Sequence, residues 1–183
     1  PGALPVSRGR GVKRWLLWAP LAAFVAIAAV VAFGLFRPAD RTVRSAMIGK
    51  PLPDVTLPAI VPGKPGSGAL TGKPRLINIF ASWCIPCIAE APQLMRLKAL
   101  GVPIEGIAIR DTAPALTAFL RQNGDPYASI GDDRQSAVQL ALGSSGVPES
   151  FVVDGQGRIV LQHVGDIRAS DVAAIAAAVK AAR

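Results

Sequence analysis

Cysteine and histidine are scarce in this chain, which has two of the first and one of the second among 183 residues. A structural zinc site takes four ligands, mostly drawn from these two residue types. There is no second cysteine pair, and His163 lies far along the sequence from the first. A zinc centre is therefore disfavoured, and no metal is expected. Also missing is any stripe of Lys and Arg interleaved with aromatics, the footprint of a nucleic-acid surface. The net charge of +8 comes largely from the N-terminal third, so no nucleic-acid partner is expected. No internal repeat or low-complexity tract stands out, apart from alanine in two stretches.

Charge is absent altogether from Trp15 to Phe36, WLLWAPLAAFVAIAAVVAFGLF. This run carries much of the apolar excess, a hydrophobic fraction of 51% and a mean hydropathy of +0.40. At about 1.5 Å per residue a helix of that length spans a hydrocarbon core of roughly 30 Å. It exceeds the ~7–15 apolar residues of a signal peptide. Phe33, Leu35 and Phe36 also stand where a cleavage site needs small residues. A retained anchor is the expectation, with Trp15 and Trp18 as interfacial aromatics and Pro20 tolerated in the first turn. Arg8, Arg10, Lys13 and Arg14 precede the run; Arg37, Arg41 and Arg44 follow it, offset by Asp40. The slight excess on the N-terminal side orients the chain N-in, C-out. The expected organisation is a cytoplasmic segment (1–14), a single-pass transmembrane anchor (15–36), a polar tether (37–50) and a domain (51–183) outside the membrane. In a bacterium that is the inner membrane, with the domain in the periplasm.

Within the domain, Pro51–Lys73 is rich in Pro and Gly and reads as a hairpin or irregular lead-in with an extended piece at Asp54–Leu57. Leu76–Phe80 and Ile104–Ile109 are short apolar runs suited to buried strands. Between them Ile88–Leu100 has helical spacing, bent or interrupted near Pro92. Pro114–Gln122 reads as a helix capped by Asp111 or Thr112, with Asp111 preferred, and closed by Asn123-Gly124. Tyr127–Ile130 is a brief strand and Arg134–Leu142 a short helix. Ser150–Val153 and Arg158–Val164 flank a Gly-Gln-Gly turn as a hairpin. Ser170-Asp171 caps a last helix, Val172–Ala182. This order predicts an α/β fold, a central mixed sheet flanked by helices, its parallel part built from right-handed crossovers.

The two cysteines form Cys84-Ile85-Pro86-Cys87, directly after a predicted strand and at the start of a helix. That context makes C-x-x-C a redox motif. The first helical turn supplies the Cα spacing of roughly 4.4–6.8 Å that a disulfide needs. The helix N-terminus favours a thiolate at Cys84. Cys84, at the exposed end, is the candidate nucleophile; Cys87, one turn inside, would resolve the mixed disulfide. Trp83 would cover the pair and shape a docking surface. A purely structural bridge is a weak rival, since so short a loop constrains the unfolded chain little. No cofactor is expected beyond the redox-active disulfide Cys84–Cys87. The sequence leaves open whether Val147-Pro148, in Gly146-Val147-Pro148-Glu149, is cis.

The string Asn78-Ile79-Phe80-Ala81-Ser82-Trp83-Cys84-Ile85-Pro86-Cys87-Ile88-Ala89-Glu90-Ala91-Pro92 resembles the thioredoxin-like cytochrome c biogenesis proteins of the DsbE (CcmG) type. Gly106–Asp111, Gly146–Phe151 and His163-Val164-Gly165 extend the resemblance, which covers Ile48 to the C-terminus. It implies a thioredoxin-like fold whose Val147-Pro148-Glu149 loop faces the cysteines and binds an extended substrate through its backbone. It further implies a periplasmic protein-disulfide reductant that keeps the haem-binding cysteines of apocytochrome c reduced. A membrane electron donor of the DsbD/CcdA kind would recharge it. The acidic residues that the family uses near the cysteines map to Glu90 and Glu149. One departure is Ile85-Pro86, where the family often has Pro first. The residues argue for a reductant independently: neither central position is a cation that would stabilise the thiolate, and a nearby carboxylate disfavours it.

Several smaller readings remain open. Glu90 is either a proton acceptor for Cys87 or part of a solvated helix face. Asn78 stands where thioredoxins place a buried carboxylate, which would leave proton transfer to Glu90 or Glu149. His163 is expected to be structural, and Arg110 to line the groove or flank a cap. Related functions are an anchored reductant for another client, such as a copper site of cytochrome oxidase, or a Cu(I)-delivery module.

Overall fold

The computed structural model describes residues 18–36, 47–53, 56–68 and 72–182, with the backbone alone for 35 and 36. The segment 1–14, the first residues of the expected anchor (15–17), most of the tether (37–46) and Asp54 and Val55 of the extended piece lie outside the described residues. The chain divides into two units, Pro1–Asp40 and Arg41–Arg183.

Among the described residues the first unit contributes one helix, α1 (Ala19–Phe36), of 18 residues with no charged side chain. At about 1.5 Å per residue it runs about 27 Å, just short of a hydrocarbon core of roughly 30 Å. Among the described residues no helix is long and apolar enough to cross a membrane.

The second unit is an α/β fold around a five-stranded mixed sheet. Its elements are β1 (Arg75–Phe80), α2 (Ile85–Ala99), β2 (Ile104–Ile109), α3 (Ala113–Asn123), β3 (Ser129–Asp133), α4 (Ala137–Ala141), β4 (Glu149–Val153), β5 (Ile159–Val164) and α5 (Val172–Ala181). The spatial order is β3-β2-β1-β4-β5. β1 pairs parallel with β2, and β2 with β3; β4 runs antiparallel to both β1 and β5. β1 lies in the middle and buries Leu76 to Phe80 on both faces, which is why it reads as a continuous apolar run. On one face Asn78 and Phe80 meet α2 and α3, and α2 packs against α5 as well. Ile79, Ile107 and Gly131 share the opposite face by register. There a side chain at Gly131 would strike Leu57 and Ser67, so the irregular N-terminal lead-in is the cover. Isolated bridges Pro51–Arg158 and Ala59–Gly131 tie that lead-in to the sheet.

Several boundaries differ from expectation, each for a local reason. α2 begins at Ile85, because Cys84 itself is the N-cap and Pro86 suits the first turn. It runs unbroken through Pro92. The carbonyl that loses its partner there belongs to Ile88, which is exposed to water. α2 ends in a Schellman turn, with Val102 N–H bonded to Leu97 C=O, Gly101 N–H to Lys98 C=O, and Gly101 at φ 79°. The preference for Asp111 as cap of α3 is corrected: Thr112 is the cap, its hydroxyl accepting from Ala115 N–H. β3 starts at Ser129, not Tyr127, because Tyr127's backbone is engaged by Asp125 and Lys64. The short helix α4 starts only at Ala137, after Ser136 adopts a left-handed φ of 58°. Asp171 precedes α5, but its side chain accepts from Arg168 N–H in place of capping the helix.

Candidate active site

β1 delivers the chain to the end of the sheet where Ala81–Trp83 turn into α2. Cys84 is extended (φ −88°, ψ 109°), and its Sγ accepts from Cys87 N–H at 3.2 Å. The two cysteines are joined in a disulfide, with Cα atoms 5.2 Å apart. The Cys84 sulfur therefore sits at the N-terminus of a helix, where negative charge is stabilised. Cys84 is 5% exposed and Cys87 1%.

The turn before the cysteines is held from β2. Asp111, just past the end of that strand, accepts from Ser82 N–H and, at 2.9 Å, from Ser82 Oγ. It also accepts from Thr112 N–H at 2.7 Å. Asp111 is thus a latch on the cysteine turn. Sequence reasoning saw a helix signal there and missed the partner, which is 29 positions away. Trp83 is 57% exposed, and its indole N–H donates to Arg110 C=O at 3.2 Å. Arg110 adopts φ 47°, in the left-handed region, and so presents that carbonyl from a strained backbone. Beside Trp83, Ile85 is 78% exposed and Ile88 is also in solvent. These side chains form an apolar rim around a disulfide.

β4 enters antiparallel to β1 with Glu149 opposite Ile79, so Val147 and Pro148 arrive at the same end of the sheet as the cysteines. The Val147–Pro148 peptide is cis. Pro148 C=O accepts from Gly165 N–H at 3.0 Å, tying this loop to the end of β5. Glu149 is buried; its carboxylate accepts from Ser145 N–H at 3.2 Å and from the Gln162 side-chain amide. It thereby organises its own loop.

Glu90 lies one turn beyond Cys87 on the buried face of α2, with 0% exposure. The solvated-face reading is corrected. Oε1 accepts from Asn78 Nδ2 at 2.9 Å, and Oε2 from Ile167 N–H at 3.0 Å. Burial pushes its pKa up from 4.5 to about 7, with help from the Asp166 charge; the two hydrogen bonds pull the other way without winning. A carboxyl balanced near neutrality can both take and return a proton. Its burial was legible in principle, since Glu90 stands in the apolar series Cys87, Ala91, Leu94, Leu97.

Asn78 is the hub beneath Glu90. Its Nδ2 also donates to Ser150 Oγ at 3.0 Å, across the β1–β4 register, and its Oδ1 accepts from Tyr127 Oη at 2.7 Å. Burial raises the Tyr127 hydroxyl pKa well above its ordinary value, with further contributions from the charges of Glu90 and Asp125, so it remains a donor. His163 sits on the edge strand β5, with Nε2 3.2 Å from Asp166 C=O. It serves the β5–α5 turn. Among the described residues no three His, Cys, Asp or Glu side chains converge as a metal site.

Residues 47–179 match the family model described as Redoxin. The chain is 40% identical over 158 residues to the thiol:disulfide interchange protein DsbE of Pseudomonas fluorescens biotype C, covering 85% of this chain and 88% of that protein. It is 38% identical over 165 residues to DsbE of Escherichia coli (strain K12), with 85% and 88% covered. Among solved structures it is similar to a thiol:disulfide interchange protein, thioredoxin family protein, from Chlorobium tepidum TLS, with 28% identity and a TM-score of 0.59. That likeness covers 75% of this chain and 99% of the other.

Proposed function

This chain belongs to the Redoxin family, among the DsbE thiol:disulfide interchange proteins, and from that premise we propose that it is a periplasmic reductant of apocytochrome c. It is a thiol–disulfide oxidoreductase with a thioredoxin-like fold. The observation that carries the reducing direction is the buried carboxyl of Glu90 one turn below Cys87. A carboxylate there opposes a second negative charge on the cysteine pair, which favours thiol over thiolate and makes the disulfide harder to reduce.

In the proposed cycle the Cys84 thiolate of the reduced protein attacks one sulfur of a client disulfide. A mixed disulfide forms and one client thiolate leaves. Cys87 then gives its proton to Glu90 and attacks Cys84 Sγ. The second client thiolate leaves, and the Cys84–Cys87 disulfide is closed. Two electrons pass to the client, and its two thiolates take up protons. Trp83 and the Val147-Pro148-Glu149 loop flank an extended client, the loop through its backbone. No cofactor takes part beyond the cysteine pair. The clients are the haem-binding cysteines of apocytochrome c, and the electron donor is a membrane protein of the DsbD/CcdA kind.

The working place proposed is the outer face of a bacterial inner membrane, held by a retained single-pass anchor over Trp15–Phe36. What supports this is that α1 carries large apolar side chains exposed around it, including Phe24, Ile27, Val30 and Phe33. Four further apolar residues precede it in the sequence, Trp15, Leu16, Leu17 and Trp18.

Cys87→Ala tests the client, because it stalls the reaction at the mixed disulfide on Cys84. Apocytochrome c should be captured through its haem-binding cysteines, and Cys84→Ala should capture nothing. Capture of a copper-site protein in its place, or full cytochrome c maturation with Cys84→Ala, contradicts the proposal.

A further inference from the structure

We infer that Tyr127 is a positioning residue of the active site: its hydroxyl fixes the Asn78 amide so that Nδ2, and not Oδ1, faces Glu90. The amide has two orientations, and its neighbours decide between them. With Nδ2 toward α2 and β4, both amide hydrogens are used, on Glu90 Oε1 at 2.9 Å and Ser150 Oγ at 3.0 Å. Oδ1 is then left for one donor, and Tyr127 Oη supplies it at 2.7 Å. In the reversed orientation Oδ1 would face a carboxylate oxygen, and the Tyr127 hydroxyl hydrogen would lose its acceptor inside the core. A buried donor without a partner costs about 1–3 kcal/mol, so the tyrosine biases the amide toward the first arrangement.

The slot for that ring is built into the sheet. Tyr127 stacks on Phe80 with centroids 4.5 Å apart. A Cβ at Gly106 would lie 2.8 Å from Phe80 and 3.0 Å from Tyr127. The absence of a side chain on β2 is therefore what admits the ring. Its backbone is held as well, N–H by Asp125 Oδ1 and C=O by the Lys64 ammonium. The hydroxyl is thus aimed at one atom from a site fixed on three sides.

The orientation matters because an N–H donor favours the carboxylate form of Glu90, whereas a carbonyl would favour the acid. The other groups acting on Glu90 are Asp166 and Ile167 N–H from the β5–α5 turn and the Tyr127 hydroxyl itself, while Cys87 lies one turn earlier on its own helix. The proposal rests on Glu90 being the proton acceptor for its bearing on catalysis. It is tested, however, by a quantity that does not depend on that role.

The full chain is labelled with 13C at the glutamate carboxyls, and the Glu90 signal is titrated in the oxidised protein. Tyr127→Phe removes one oxygen and leaves the ring. It should raise the Glu90 midpoint, by about one pH unit for the loss of one oriented donor. The same change in an Asn78→Ser background, where no amide remains to be oriented, should add no further shift. An unchanged or lowered midpoint in Tyr127→Phe overturns the assignment. So does an equal shift in both backgrounds, because a general loosening of the core would act with or without the amide.

Discussion

Above the Cys84–Cys87 disulfide, Trp83, Ile85 and Ile88 hold apolar side chains in solvent, whereas beneath it Asn78, Glu90, Ser150 and Tyr127 hold polar groups in the core. Each arrangement runs against the ordinary preference of its side chains. Exposed apolar area forgoes about 25 cal/mol per Å² of burial, and a buried polar group must find partners or cost stability. In the proposed function the open rim is where a client lies, since exposed apolar surface marks such contacts. The pocket is closed because a carboxyl must be kept out of water for its pKa to reach the neutral range. In the proposed cycle, recognition and proton handling are therefore separated by one turn of α2.

Glu90→Gln breaks this division most strongly. Closure of the mixed disulfide should slow by about 10²-fold, the usual scale for losing a positioned base. In the natural protein that step should quicken as pH rises through about 7, where Glu90 ionises. In the variant the rise should wait for the thiol's own pKa, at about 8.5 or above. Stopped-flow reaction of the reduced protein with a peptide disulfide reads both, and superimposable pH profiles would remove Glu90 from the mechanism.

The same variant has a stability signature whose sign is fixed. Glu90 holds its proton more tightly folded than unfolded, so its contribution is complete below about pH 4.5 and is lost as pH rises through about 7. The loss is on the order of 3 kcal/mol. Urea melts of the oxidised protein should show that fall, and Glu90→Gln should be flatter over the same range. Curves of equal slope would mean that the carboxyl is not buried as described.

Trp83→Ala touches only the rim and should have the smallest effect. A severalfold higher KM for a protein client with kcat nearly unchanged is expected, as for a contact made equally in ground and transition states. A fall in kcat with unchanged KM would place the indole in the chemistry.

The cysteine pair and Trp83 were readable in the sequence, the exposed Ile85 and Ile88 were not, and the pocket was readable only in part, for a physical reason. Cys84, Cys87 and Trp83 are consecutive or one turn apart, so local spacing places them once a strand and a helix are recognised. Glu90 carries a local signal too, a carboxylate in an apolar helical series, but its charge reads equally well as a solvated face. Asn78–Tyr127 and Ser82–Asp111 join residues 49 and 29 positions apart. Such pairs follow from the packing of β1, β2 and the turn before β3, which no local pattern encodes. The strands β1 and β2 were legible because burial on both faces makes their sequences uniformly apolar. The start of β3 was not, because Tyr127 is a buried, strand-favouring residue that spends its backbone hydrogen bonds on Asp125 and Lys64.

The reduction potential of the full chain, measured at pH 7 by equilibration against glutathione, tests the central claim most directly. A pair whose second charge is opposed by a buried carboxyl should lie below about −180 mV, on the reducing side of the protein disulfide isomerases. A value near −120 mV, that of a strong oxidant, would contradict it.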